Sequence, residues 1–333
     1  MAEPKRCLKH SAAMKTVLLI TARFDAAADL LLAELRRHDV PCVRWNTREF
    51  PQDSVLTYRL SNGAFGAEIN SDGRRVDLVS VGSIWWGWDQ PNGFPGDLVG
   101  EERGFAEREA QLALTALMTV GDFRWINHPL RERRAKSKPA QLFVARQVGF
   151  EIPQTVITND PDEARAFIEK SSKQIVYKGL SQPRNMKPGT VLFTNVLTSD
   201  KLAKLDLIRL TPGIFQERVD KAYEIRVTVV ATRIFGARID SQAQAAATLD
   251  WRRALQDVNY EAIDLPPEIE TKIHAFMDAF GLVYGAFDFI VTPDGRYVFL
   301  EVNPSGQYMW VECATGLGIT AALVEALSEP CRI

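Results

Sequence analysis

The stretch from Tyr284 to Gln307, YGAFDFIVTPDGRYVFLEVNPSGQ, constrains the fold most, because it sets acids inside two strand-like runs of Phe, Val, Ile and Tyr. Between the runs lies Thr292-Pro293-Asp294-Gly295, with Pro and Gly where a type I turn wants them, so the stretch predicts a β-hairpin. Strand alternation puts Glu301 and Asn303 on one face and Val298, Leu300 and Val302 on the other. A four-residue loop pairing Val291 with Arg296 sets Asp288 opposite Phe299 and diagonal to Glu301, so that two carboxylates and an amide oxygen converge. A one-residue slip, or a bulge after Gly295, turns Asp288 to the other face. Carboxylates buried among Ala286, Ile290, Tyr297 and Phe299 need compensation. Hard oxygen ligands in a pocket suit Mg²⁺, which keeps waters and is usually completed by phosphates. The alternative is an edge hairpin with solvated acids.

Composition narrows the classes. At 333 residues the chain has room for two or three lobes. Hydrophobic residues at 46% and charged ones at 25% are ordinary for a soluble globular protein. With 40 basic and 42 acidic residues the net charge is −2, so no global field draws nucleic acid or an acidic membrane. An anion must be met locally. Cys7, Cys42, Cys313 and Cys331 form no CxxC pair and the four histidines do not cluster with them, so neither a zinc site nor a disulfide framework is expected and a cytoplasmic location fits. No apolar run is long enough to span a bilayer. The first residues, MAEPKRCLKHSAAM, lack the apolar core of a signal peptide, and residues 1–14 are expected to be a disordered tail.

Taken in order, Thr16 to Thr21, Ala26 to His38 and Val40 to Trp45 predict a βαβ unit, without GxGxxG at its first turn. A hairpin around Asn62-Gly63 follows, then one strand from Val76 to Trp86, interruptible at Gly82, which runs into Trp85, Trp86 and Trp88. Such a cluster serves packing or peptide docking. Glu101 to Val120 reads as a helix. After a charged linker, Ser137 can cap a second helix with Pro139 in its first turn, Gly149 at its end and Lys138 at its mouth, where a cation adds to the attraction for phosphate. Gln174 to Gly179 predicts a strand presenting Lys178, and Ser181 to Thr190 reads as a loop that can close over phosphates or simply be solvated. Ile214 to Val219 predicts a strand and Tyr223 to Asp240 a hairpin in which Glu224 and Arg226 share a face. Helices are expected at Pro267 to Phe280 and Ala314 to Leu327.

In that order, Lys138, Lys178, Gln216-Glu217-Arg218-Val219, Arg226, Asp288 and Glu301-Val302-Asn303 resemble the motif set of ATP-grasp ligases. The run FQERVDKAYEIRVTVV, then Asp240-Ser241-Gln242 and Asp250-Trp251-Arg252, is similar to the ATP-grasp maturases of graspetides, the macrocyclases of the microviridin type. The resemblance covers most of the chain. It implies an α/β chain of α+β lobes: an amino-terminal βαβ pre-grasp domain at 15–129, a central ATP-grasp lobe at 130–205 and a carboxy-terminal lobe at 206–333 with the metal site. It implies ATP and Mg²⁺ as cofactors, with Lys138 and Lys178 on phosphates, Glu217 and Val219 at the adenine, Gln216 among the cofactor-binding residues, and Lys221 and Glu224 nearby. Arg226 would face the phosphoryl in flight, with Lys178 and Arg252 as further catalytic candidates. Asp288, Glu301 and Asn303 would hold the metal, and Asp250 and Arg252, with Trp86 and Trp88, would meet a peptide. One departure is plain: many members carry Trp-Tyr-Arg-Arg-Pro where this chain has Trp86-Gly87-Trp88-Asp89-Gln90-Pro91, so two arginines are missing. Other cations such as Arg103 then serve, or the substrate differs.

A free carboxylate is a poor acyl donor, and ATP supplies the leaving group it lacks. Two lysines, an arginine and Mg²⁺ would neutralise the charge on the transferred phosphoryl, an electrostatic and positioning task. No Ser/His/Asp arrangement is recognisable. The leading expectation is a macrocyclase that activates Asp or Glu side chains of a ribosomal precursor peptide, with leader and acidic core, to form ester or amide rings with Ser, Thr or Lys. The alternatives are an ATP-grasp ligase of small carboxylates and amines, and a catalytically silent nucleotide-binding module. A homodimer is expected from the resemblance alone. Arg252 would clamp a carboxylate through its planar fork, or brace its loop by stacking on Trp251.

Overall fold

The computed structural model describes residues 15–87, 92–181, 194–254 and 257–329. The chain divides into two compact units, Met1–Ile126 with Leu323–Ile333, and Asn127–Ala322.

In the first unit, β1 (Thr16–Ile20), α1 (Ala26–Arg37) and β2 (Cys42–Trp45) form the expected βαβ. Asp25 caps α1 by accepting from the amides of Ala27 and Ala28, so this strand-to-helix turn is an ordinary capped helix start. An antiparallel sheet of β3 (Ser54–Ser61), β4 (Ala64–Ser71) and β5 (Arg74–Asp77) follows. The single strand expected over Val76 to Trp86 is two: Asp77 accepts from the Val79 amide, a short 3₁₀ turn spans Leu78–Ser80, and β6 (Val81–Trp86) begins afresh. The break is set by that side chain rather than by Gly82. After α2 (Gly100–Ala116), β7 (Arg124–Ile126) completes a parallel sheet of order β2-β1-β6-β7. Trp86 and Trp125 pack at 6.2 Å in this unit's core, which also buries Trp45 and Leu114.

The second unit starts with α3 (Pro129–Ala135) and α4 (Lys138–Gln147). Ser137 stands at the α4 cap but makes no side-chain capping bond, contrary to expectation, while Gly149 takes the left-handed conformation at φ +85° just past the helix. Then come β8 (Thr155–Thr158), α5 (Pro161–Lys170), β9 (Ile175–Gly179), β10 (Asn195–Val196), α6 (Ser199–Leu202) and β11 (Gly213–Glu217). Their sheet has the order β10-β9-β11-β8. The resemblance implies a carboxy-terminal lobe from residue 206 onward; β11, within that range, hydrogen bonds antiparallel to both β8 and β9.

β12 (Tyr223–Val230), β13 (Arg233–Ile239), β14 (Tyr260–Ile263), α7 (Pro267–Phe280), β15 (Tyr284–Val291) and β16 (Tyr297–Asn303) build a five-stranded sheet of order β14-β13-β12-β15-β16. One face carries Val227, Val229, Phe287, Phe289 and Phe299 into a core with Phe276 and Ile273 of α7 and Val144 of α4. The rings of Phe289 and Phe299 meet edge to face at 5.8 Å. The helix expected over Ala314 to Leu327 is two: α8 (Met309–Thr315) ends at Gly316, at φ +72°, and α9 (Ile319–Ser328) follows. Glycine, with no Cβ, takes that left-handed stop at little steric cost. No helix among the described residues is long and apolar enough to cross a membrane.

Asn127 ties the start of β15 to the segment that follows β16. Its Nδ2 donates to the carbonyls of Tyr284 (2.8 Å) and Pro304 (2.7 Å), and its Oδ1 accepts from the amides of Val283 (2.8 Å) and Tyr284 (2.9 Å). The side chain is buried, so its loss strands backbone groups away from water. Asn127→Ala is expected to lower the unfolding free energy by about 3 kcal/mol, read from urea denaturation midpoints.

Candidate active site

The hairpin β15–β16 forms as expected, but in a different register. Val291 pairs with Tyr297, not Arg296, so the connection is one residue longer than a four-residue loop. By itself that slip would turn Asp288 away from Glu301. A bulge restores it: Phe289 pairs with Phe299 and Asp288 with Glu301, leaving Leu300 as the extra residue. The same bulge breaks the expected alternation, so Phe299 and Val302 both reach the phenylalanine core while Glu301 and Asn303 face the opposite way. Asn303 Nδ2 lies 3.2 Å from Asp288 Oδ2 and 3.4 Å from Glu301 Oε1. Three side chains of the predicted metal set therefore converge.

Each acid of this face has a cation. Arg226, directly opposite Asp288 on β12, donates from Nη1 to both carboxylate oxygens at 2.9 Å. Lys138, the first residue of α4, pairs with Glu301, and Lys221 pairs with Glu224. Arg252 holds Asp250 in a fork, Nε to Oδ1 at 2.8 Å and Nη2 to Oδ2 at 2.6 Å. Buried ion pairs of this kind are tolerated only when each charge is matched and hydrogen bonded. Matching is incomplete: among the described residues, Glu224 Oε2, Arg226 Nε and Thr228 Oγ1 are buried with no partner.

The environments push these groups apart. Burial drives the Asp288 carboxyl up against the pull of Arg226. It acts upward on Glu301 as well, but Lys138 and Lys178 hold that carboxyl well below the usual carboxylate range. Burial raises Glu224 to about 7, against Lys221. Lys178, on β9, donates to Gln216 Oε1 at 2.8 Å, and desolvation lowers its ammonium to about 8. Gln216 is oriented in turn by donating to Thr155 Oγ1 at 2.9 Å.

One cleft of the second unit is lined by Lys138, Lys178, Gln216, Glu217, Val219 and Lys221. Its lining also includes Glu224, Asp250, Arg252, Asp288 and Glu301. Arg226 and Asn303 join it through their contacts with Asp288. The two sheets of the second unit thus contribute to one site. Gly306 lies close against it: a Cβ there would fall 2.7 Å from Arg226 Nη2 and from the Ala286 methyl. Arg252 is expected either to clamp a carboxylate or to brace its loop by stacking on Trp251; Trp251 packs against Trp310 at 4.8 Å with the rings tilted by 39°, while the Arg252 guanidinium is held by Asp250. Trp86 is buried in the first unit against Trp125, so packing accounts for it. Trp88 and residues 182–190 of the expected phosphate loop lie outside the described residues. Sequence reasoning missed Gln141 and Asn127. Gln141 had a signal, because it occupies the first position of the stripe Gln141, Val144, Ala145 that α4 buries.

No protein-family model and no curated protein matches the chain. Solved structures do. A RiPP-associated ATP-grasp ligase from Chryseobacterium gregarium, in complex with ADP and a leader and core peptide, is similar at 28% identity and TM-score 0.87 over 96% of this chain and 99% of that one. The macrocyclase MdnC from Microcystis aeruginosa MRC, bound with precursor peptide MdnA, is 32% identical with TM-score 0.84 over 94% and 99%. The macrocyclase MdnB from the same organism is 28% identical with TM-score 0.80 over 94% and 99%. Fold and site define an ATP-dependent ligase of the ATP-grasp class. Within that class, the chain belongs to the family of RiPP ATP-grasp ligases that contains the graspetide macrocyclases.

The depressed Lys178 has a stability consequence. Its folded value of about 8 lies below the 10.5 of free lysine, so between the two the unfolded chain holds more protons and this group's contribution to stability rises with pH. Below the window the buried ammonium is a fixed cost. The stability difference between Lys178→Met and the parent is therefore expected to change steadily through the window and level off on either side, measured by urea unfolding without ligands. A flat difference would contradict the assignment.

Proposed function

We propose that this enzyme uses ATP to activate Asp or Glu side chains of a ribosomal precursor peptide and closes them onto Ser, Thr or Lys side chains as ester or amide macrocycles. The observation that carries the proposal is the set of matched ion pairs in the cleft. Lys138 with Glu301 and Arg226 with Asp288 each join a cation suited to phosphate with an acid suited to metal. Nucleotide and metal arriving together can take one partner each, leaving no bare buried charge.

The donor set fits Mg²⁺. Turned half a revolution about its last bond, the Asn303 amide offers oxygen where Nδ2 now meets Asp288 and Glu301, giving three hard oxygen ligands. Bound there, Mg²⁺ would neutralise charge on the phosphates. Lys138, Lys178 and Arg226 would supply the remaining positive charge, with Gln216 holding Lys178 in direction. Glu217 and Val219 would border the adenine, with Lys221 and Glu224 beside them. The carboxylate of the peptide takes the phosphoryl, ADP leaves, and a peptide hydroxyl or amine displaces phosphate. No nucleophile from the enzyme is required.

The relatives solved in complex with a leader and core peptide or with a precursor peptide support a peptide substrate of this kind. Asp250 engages the Nε–Nη2 side of Arg252 and fixes its orientation, so a peptide carboxylate would dock at the Nη1 end, where the planar guanidinium can still donate. We assign the chain to the cytoplasm, where Cys42 and Cys313 stay reduced. We also propose a homodimer, for which Phe105 and Leu112, exposed one heptad apart on α2, are the candidate surface. Sedimentation measures that directly.

The decisive assay is ADP release with and without an acidic precursor peptide rich in Thr, Ser or Lys, followed by mass spectrometry, since each ring removes one water. Peptide-independent turnover on small amino acids would instead indicate a small-substrate ligase. Glu301→Gln is expected to cut turnover on the order of a hundredfold or more at ordinary Mg²⁺, with folding intact. Arg252→Lys keeps the charge and loses the fork, so dehydration of the peptide should slow while ADP affinity holds. Dehydration at the parent rate would remove Arg252 from substrate binding.

A further inference from the structure

We infer that Gln141 is a positioning residue for the metal-binding strand, fixing the bulge of β16 so that Glu301 and Asn303 face Asp288; this rests on the metal assignment proposed above. β16 is an edge strand, with β15 as its one sheet neighbour, and among the described residues its outer edge meets other backbone as an isolated bridge between Val298 and Glu151 rather than as a ladder. An extra residue on such an edge can migrate along the strand. Two contacts pin it. Before Leu300, the Phe299 amide donates to the Glu151 carbonyl at 2.8 Å. After it, the Val302 amide donates to Gln141 Oε1 at 3.0 Å, and Gln141 Nε2 donates back to the Val302 carbonyl at 2.8 Å.

The side chain of Gln141 thus does for Val302 what a neighbouring strand would do. Its Nε2 also donates to the Ala135 carbonyl at 2.6 Å, which keys the end of α3 to the same point. Both amide hydrogens are used, and the residue is 3% exposed. Val302 lies between Glu301 and Asn303, so holding both of its backbone groups fixes both neighbours. Three residues earlier on the helix, Lys138 reaches Glu301, so α4 grips the side chain and the backbone of adjacent residues. If the extra residue moved from Leu300 to beyond Glu301, Glu301 would pair with Phe287 and turn into the phenylalanine core. Gln141 holds the strand against that slip.

The test is calorimetric titration of Mg²⁺ into the intact chain bound to ADP, which involves no turnover. Gln141→Met keeps the length and removes the Val302 bonds. Its Mg²⁺ affinity is expected to fall about tenfold or more, as loss of supporting hydrogen bonds around a metal site does. ADP affinity without metal should be unchanged. Ile273→Val, in the same core, controls for general destabilisation and should keep the parent Mg²⁺ affinity. Parent-like Mg²⁺ binding in Gln141→Met, with binding lost in Glu301→Gln, overturns the positioning role alone. Parent-like binding in both removes the metal assignment and this inference with it. If Gln141→Met does not fold, Gln141→Glu, which retains the acceptor for the Val302 amide, takes its place with an intermediate loss expected. Failure of both to fold makes Gln141 purely structural and overturns the inference.

Discussion

The contact of Arg226 Nη1 with both carboxylate oxygens of Asp288, across adjacent strands of the five-stranded sheet, is the interaction around which the second unit is arranged. Behind that sheet stand Phe276, Phe287, Phe289 and Phe299. A sheet with such a core can hold acids only on its other face, and only if cations are brought to them. The surrounding elements bring them: α4 opens with Lys138, β9 carries Lys178, and the loop before β14 carries Arg252 beside Asp250.

This arrangement gives the cleft an internal charge balance. Lys138, Arg226, Lys221 and Arg252 are each engaged by an acid of the same site. Lys178 differs, being held by the neutral amide of Gln216 and carrying a lowered ammonium pKa. It is therefore the cation with most to gain from an arriving phosphate, which would supply the counter-charge burial denies it. Under the proposed function the paired cations would exchange partners, whereas Lys178 would only add one.

Supporting contacts come from residues with no charge at all. Asn127 fixes the start of β15 against Pro304, Gln141 fixes the end of β16, and Gly306 lets the following turn lie against Arg226. Each acts on backbone, so each sets where charged side chains point without entering the chemistry. Buried amides with all hydrogen bonds made are rigid, because every alternative leaves a polar group unpaired.

Much was legible in the sequence because it depends on local chemistry. Turn residues at Pro293 and Gly295 announce the hairpin, alternation ties Glu301 to Asn303 and Glu224 to Arg226, and the order of the cationic and acidic residues carries the family. Register was not legible. The loop is one residue longer than expected and the bulge at Leu300 adds another, and the two offsets together restore the facing of Asp288 and Glu301 that alternation from a shorter loop also gave. The sequence determined which residues must meet; tertiary structure decided how. The bulge is held by Glu151 and Gln141, which lie far away along the chain, and a pleat of period two cannot reveal an extra residue whose partner is a distant helix. The same limit applies to Trp86, whose type fits packing and docking equally until the neighbouring strand supplies Trp125.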